Sequence, residues 1–115
     1  MSIERIEPGA RFASAVVHGG LVYLAGHVAH DTAADTRGQT RQVLEAIDAH
    51  LAAAGTDKSR LLTVQIWLAD MATFGEMNAA WDAWVDKTNL PARATVEAHL
   101  ASPEWLVEIA GIAAL

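Results

Sequence analysis

Two charged residues in the last quarter of the chain stand where a strand core would not ordinarily accept them. Arg93 lies in Pro91-Ala92-Arg93-Ala94-Thr95-Val96, and Glu108 lies in Leu106-Val107-Glu108-Ile109-Ala110-Gly111-Ile112. Proline fixes φ and lacks an N–H, so Pro91 suits a strand entrance and puts the guanidinium at a sheet rim. There the planar fork could take a carboxylate through two hydrogen bonds, which lysine cannot do. The plainer reading is a solvated arginine paired with Glu97 or Asp86. Glu108, among aliphatic neighbours, must find a partner or lose hydration. It could polarise a water or accept a proton if its surroundings raise its proton affinity, or it could form an ordinary ion pair with Arg93 or a lysine. Asn78 could hydrogen-bond a small molecule or be a surface amide. A rim arginine and a partly buried glutamate framing a cleft is the expected arrangement.

The remaining polar residues offer less. His27 and His30 flank a strand end without a third ligand at a recognisable spacing, so no metal is expected. His18 falls in a turn and His50 on a solvated helix face. No phosphate loop, nucleophile elbow or dinucleotide fingerprint is present, and no cofactor is expected. Trp67, Trp81, Trp84 and Trp105 read as packing residues, because no basic stripe runs beside them.

The elements that must position these residues follow from periodicity. Residues 3 to 7 allow a short edge strand, ended by the turn Pro8-Gly9. Phe12 to Val17 and Leu21 to Val28, joined through His18-Gly19-Gly20, predict a hairpin. A loop over 30 to 38 leads to Asp35 as an N-cap. A helix from about Gln39 to Ala54 buries Val43, Leu44, Ile47, Leu51 and Ala54, and stops at Gly55. Leu62, Val64, Ile66 and Leu68 alternate as the aliphatic face of a strand. Asp70 is the expected cap of a second helix ending near Lys87, with Phe74, Met77, Asn78, Trp81, Trp84 and Val85 as its stripe. In the strand after Pro91, Val96, Ala98 and Leu100 are expected on the aliphatic face. Two one-sided helices interleaved with strands should cover one face of a mixed sheet, an α+β architecture. The other face is expected to carry Thr63, Gln65, Trp67, Thr95, Glu97 and His99, with Trp67 kept from water by association between subunits.

Composition narrows the classes. The 115 residues are expected to form a single domain over 1–115. Hydrophobic residues make up 52% and mean hydropathy is +0.19, rich for so small a chain, which points to a subunit interface. The formal charge is −6, and the 8 Lys and Arg are scattered, so a nucleic-acid surface is not expected. Without cysteine there is no disulfide framework or thiolate metal site. No apolar run approaches the length of a membrane span, no signal segment is read at the N-terminus, and the expected compartment is the cytosol.

Gly20-Leu21-Val22-Tyr23-Leu24-Ala25-Gly26, Gln39-Thr40-Arg41-Gln42-Val43-Leu44, Trp67-Leu68-Ala69-Asp70-Met71 with Phe74 and Met77-Asn78, Pro91 to Val96, and Val107-Glu108-Ile109 together resemble the Rid family of reactive-intermediate deaminases, the YjgF type. Trp81-Asp82-Ala83-Trp84-Val85 resembles its shorter branch. The resemblance implies a chorismate-mutase-like fold and a homotrimer whose sheets form a central barrel. It also implies a cofactor-free cleft between subunits that hydrolyses small 2-imino acids to 2-keto acids and ammonia. Arg93 would bind the substrate carboxylate and Glu108 would position or activate the water. Phe12, Gly26, His27, Asn78 and Thr95 complete the expected substrate-binding set. Two positions depart from the family: Phe12 replaces its usual tyrosine, and His27 replaces its frequent glutamine and adds a group that titrates near neutral pH. Two rival expectations are a non-catalytic ligand-binding or holdase-like trimer and, more weakly, a ribonuclease or translation inhibitor.

Overall fold

A computed structural model describes residues 2–115. The strands are β1 (Glu4–Pro8), β2 (Ala13–His18), β3 (Leu21–His27), β4 (Leu61–Leu68), β5 (Ala92–Glu97) and β6 (Val107–Ala114). The helices are α1 (Thr36–Ala54) and α2 (Phe74–Trp84). All six strands join one mixed sheet in the order β1-β2-β3-β6-β4-β5, with only the β4–β5 pair parallel. The edge strand and the hairpin both form as expected. Gly19 and Gly20 supply the hairpin turn with φ of 62° and 78°, the left-handed pair that a two-residue connection between right-twisted strands requires.

Helix α1 starts three residues earlier than its apolar stripe implies. The Asp35 carboxylate accepts a hydrogen bond from Gly38 N–H and caps it there. Val43, Leu44, Ile47 and Leu51 are buried against the sheet, and the Gly55 N–H closes the last turn onto Leu51 and Ala52 carbonyls. Gln39 is also buried. Its amide nitrogen donates to Thr32, Ala34 and Glu104 carbonyls, and its oxygen accepts from Leu106 N–H, so one side chain ties the loop before α1 to the loop before β6. Asp70 caps a short 3₁₀ turn, Met71–Thr73, rather than α2 itself. Helix α2 ends at Trp84, three residues before Lys87, with Val85 already extended and Asp86 turning the chain by accepting from Thr88 N–H and Asn89 Nδ2.

The two helices pack on one sheet face and form one core with Val22, Leu24, Val64, Ile66, Leu68, Val107 and Ile109. Two expectations about the strands are corrected. In β4 the register shifts between Leu61 and Thr63, so Leu61 takes the core position and Leu62 is left 49% exposed. In β5 the faces are reversed relative to the alternation expected for it. Val64 pairs with Arg93, Ile66 with Thr95 and Leu68 with Glu97, which sets Arg93, Thr95 and Glu97 on the helix-covered face and leaves Val96 on the open face, 44% exposed.

Candidate active site

On the helix-covered face, one cross-strand row runs Ile6, Ala15, Leu24, Gly111, Val64 and ends at the sheet edge in Arg93. Helix α2 crosses above it. Arg93 Nη1 donates to Asn78 Oδ1 at 2.9 Å, and the guanidinium carbon lies 5.2 Å from the Trp81 ring and 5.9 Å from the Phe74 ring. Two aromatic rings and one amide therefore orient the fork while leaving most of its donors uncommitted. The plainer reading of Arg93 does not hold: among the described residues it has no ion pair. Glu97 instead accepts from Met71 N–H, and Asp86 is engaged by Thr88 and Asn89. Thr95, on the same face of the same strand, has a buried Oγ1 that meets no hydrogen-bond partner among the described residues.

Glu108 stands on the other face. It pairs with Trp67, which in turn pairs with Val96, and it lines a hollow of about 270 Å³ with Trp67, His99 and Leu100. No lysine, arginine or histidine lies within ion-pair distance of it among the described residues, so its ion-pair reading is not realised within the chain. Gly26 lies directly beneath. A Cβ added there would overlap Glu108 Oε2 and come within 3.0 Å of Cδ, so the absence of a side chain at Gly26 is what lets the carboxylate rest on the β3 backbone.

His27 points away from Glu108, to the helix side. Its Nδ1 lies 2.6 Å from the Ala25 carbonyl and, since a carbonyl only accepts, must carry the proton. The ring packs 4.7 Å from His50 of α1, whose Nδ1 is 3.6 Å from a Glu7 carboxylate oxygen. His50 is thus not on a solvated face: its side chain is 15% exposed. Burial pushes the His27 pKa below the ordinary 6.5, against a smaller upward effect of the Ala25 bond. Phe12 lies in the connection between β1 and β2, 68% exposed. No three His, Asp or Glu side chains are placed to hold a metal among the described residues.

Residues 2–115 match the sequence model of a family described as Endoribonuclease L-PSP. A RutC family protein of Haemophilus ducreyi is 48% identical over 98% of this chain and 97% of its own, and the RutC family protein YoaB of Escherichia coli is 43% identical over the full length of both. The chain belongs to the YjgF/RutC family. A YjgF-family crystal structure from Neisseria meningitidis superposes with a TM-score of 0.96 at 44% identity, covering 99% of this chain and 95% of that one. A protein from Pseudomonas aeruginosa gives 0.95 at 41% identity, over 98% of each. The α+β fold expected from the strand and helix order is therefore the fold of the YjgF family.

In this YjgF-family chain five of the seven residues singled out in the sequence fall into two groups, while His27 packs beside His50 and Phe12 lies in the β1–β2 connection. Arg93, Asn78 and Thr95 share the helix-covered face near the β5 edge, and Gly26 and Glu108 share the open face. Residue order alone does not mark the aromatic frame of Arg93, since Phe74 and Trp81 fit a packing stripe, nor His99 in the hollow with Glu108, which fits ordinary strand alternation.

Proposed function

We propose that the protein is an imine deaminase that hydrolyses small 2-imino acids to 2-keto acids and ammonia in the cytosol, working as a homotrimer with its site between chains. The observation that carries this reading is the state of Arg93: half-buried, oriented by Asn78, Trp81 and Phe74, and unpaired with any carboxylate among the described residues. An oriented cation with free donors is a ready-made seat for a small acid. The open face supports self-association, since Tyr23 and Val96 are exposed on it beside half-buried Trp67 and Ile112.

In this mechanism Arg93 of one chain grips the substrate carboxylate. Glu108 of another takes a proton from water as it attacks the electrophilic iminium carbon, forming a carbinolamine. Glu108 then returns that proton to nitrogen and, again a carboxylate, takes the hydroxyl proton as the C–N bond breaks, so that the keto C=O forms, ammonia leaves and the last proton departs with it as ammonium. The substrate supplies its own electrophile, so positioning and one proton-accepting group suffice. Thr95 Oγ1, buried on the same face of β5 and without a partner among the described residues, is the hydroxyl that would turn to the substrate beside Arg93. The nuclease wording of the family description has less support here, because 8 Lys and Arg stand against 14 Asp and Glu, a balance that repels a polyanionic backbone.

The test is a coupled assay in which an amino-acid oxidase generates 2-iminopropanoate or 2-iminobutanoate and keto-acid release is followed with and without the protein. Acceleration that drops at least about a hundredfold in Arg93→Ala, with the assembly mass unchanged, is expected from loss of charge-assisted hydrogen bonds. Undiminished hydrolysis by that variant refutes the assignment, and tight keto-acid binding without acceleration favours a ligand-binding module instead.

A further inference from the structure

A second hollow, of about 350 Å³, lies between α1 and α2, and no part of the proposed reaction uses it. Its walls hold Arg37, Arg41 and Lys58, three of the 8 basic residues of a chain whose net charge is −6. None of the three makes an ion pair among the described residues, although acids outnumber bases. Glu45 is the carboxylate on the rim, and Trp84 and Leu44 supply apolar surface. The two central groups are held in place. Trp84 Nε1 donates to Asp48 Oδ2 at 2.9 Å, and Lys58 Nζ donates to the Trp84 carbonyl at 2.6 Å while lying 5.1 Å from the indole ring. Lys58 uses one of its three donors in this way, leaving two for a ligand. Three cations against the single lining carboxylate Glu45 leave an excess of positive charge that an incoming anion relieves, and a fixed aromatic wall beside them favours a flat body on that anion.

We propose that this hollow binds an aromatic oxyanion, a carboxylate or phosphate head carried on a planar ring, with the head on Arg37, Arg41 and Lys58 and the ring against Trp84. A volume of about 350 Å³ falls within the range of small-molecule sites. The site is distinct from the Arg93 seat: α2 presents Ala80, Ala83 and Trp84 to the hollow, and Asn78, Trp81 and Phe74 to Arg93.

Calorimetric titration of the intact protein with indole-3-acetate, with adenosine monophosphate and with inorganic phosphate tests this, with tryptophan fluorescence as a second readout. Binding of at least one ring-bearing anion is expected, weakened at least about tenfold in the Arg37→Ala/Arg41→Ala double variant through lost charge-assisted hydrogen bonds, and little changed in Arg93→Ala. The two ring-bearing probes separate a carboxylate head from a phosphate head. Should the double variant fail to fold, Glu45→Gln serves instead and is expected to tighten binding by removing the rim carboxylate. Three outcomes overturn the proposal: no binding of either ring-bearing probe, inorganic phosphate binding as tightly as both, or affinity that disappears in Arg93→Ala while the Arg37, Arg41 and Glu45 variants leave it unchanged.

Discussion

Arg93 and Glu108 stand on opposite faces of one sheet, with β4 between their strands: Arg93 pairs with Val64 on the helix-covered face and Glu108 with Trp67 on the open face. Neither forms an ion pair among the described residues. For both to act in the proposed reaction, the substrate must lie between two copies of the chain, one giving its sheet edge and the other its open face.

That geometry predicts complementation. Arg93→Ala and Glu108→Gln should each be inactive alone, yet random mixed assemblies should regain activity at about a quarter of the sites, those built from two undamaged halves. Activity of mixtures after subunit exchange, with mass spectrometry confirming hybrids, measures this. Hybrids as inactive as their parents would place both residues in the same chain's site.

Gly26→Ala should separate catalysis from stability. The new Cβ must displace the Glu108 carboxylate, the free end of a flexible side chain, so the fold should lose no more than about 2 kcal/mol. Turnover should fall much further, because the group proposed to handle the water is moved. A thermal melt beside a kcat measurement checks it, and turnover that survives with the carboxylate displaced would remove Glu108 from the reaction.

The orienting of Arg93 is measurable on its own. Asn78→Ala frees the guanidinium and should raise KM by roughly five- to tenfold, the value of about one hydrogen bond, with a smaller change in kcat. Thr95→Val removes a buried hydroxyl without a partner among the described residues. It should leave the fold unchanged or stabilise it by up to about 1 kcal/mol, while raising KM for the imine, measured by a thermal melt beside steady-state kinetics.

Stability should fall on mild acidification. Burial holds the folded-state pKa of His27 below the 6.5 expected for the unfolded chain, so between those two values the unfolded chain binds more protons. The contribution is complete above pH 6.5 and is lost as pH falls through the lowered folded value. Protonation also sets a charge against His50, 4.7 Å away, with Glu7 as the nearby opposing carboxylate. Unfolding midpoints between pH 7.5 and 5 should decline more steeply for the natural chain than for His27→Gln, and parallel curves would show that His27 does not contribute.

Much of this molecule is local chemistry, and that part was legible from residue order. The Gly19-Gly20 turn, the Asp35 cap, the Gly55 stop, the apolar stripe of α1 and the strand entrance after Pro91 each follow from the conformational limits of a few neighbouring residues. The charged pair in aliphatic surroundings was visible for the same reason, since a carboxylate among Val107 and Ile109 is conspicuous wherever the strand lies.

Which face each side chain takes was decided only by tertiary structure. Alternation fixes that neighbours point to opposite sides but not which side is covered, and a one-residue slip exchanges the two. The shift between Leu61 and Thr63 moved Leu62 out of the core, and the parallel pairing of β5 with β4 turned Arg93 and Thr95 toward α2 and left Val96 open. The fork beneath Trp81 and the carboxylate over Gly26 exist because strands distant in the chain pair in one particular register, and that choice is made by the packing of the whole sheet against its helices.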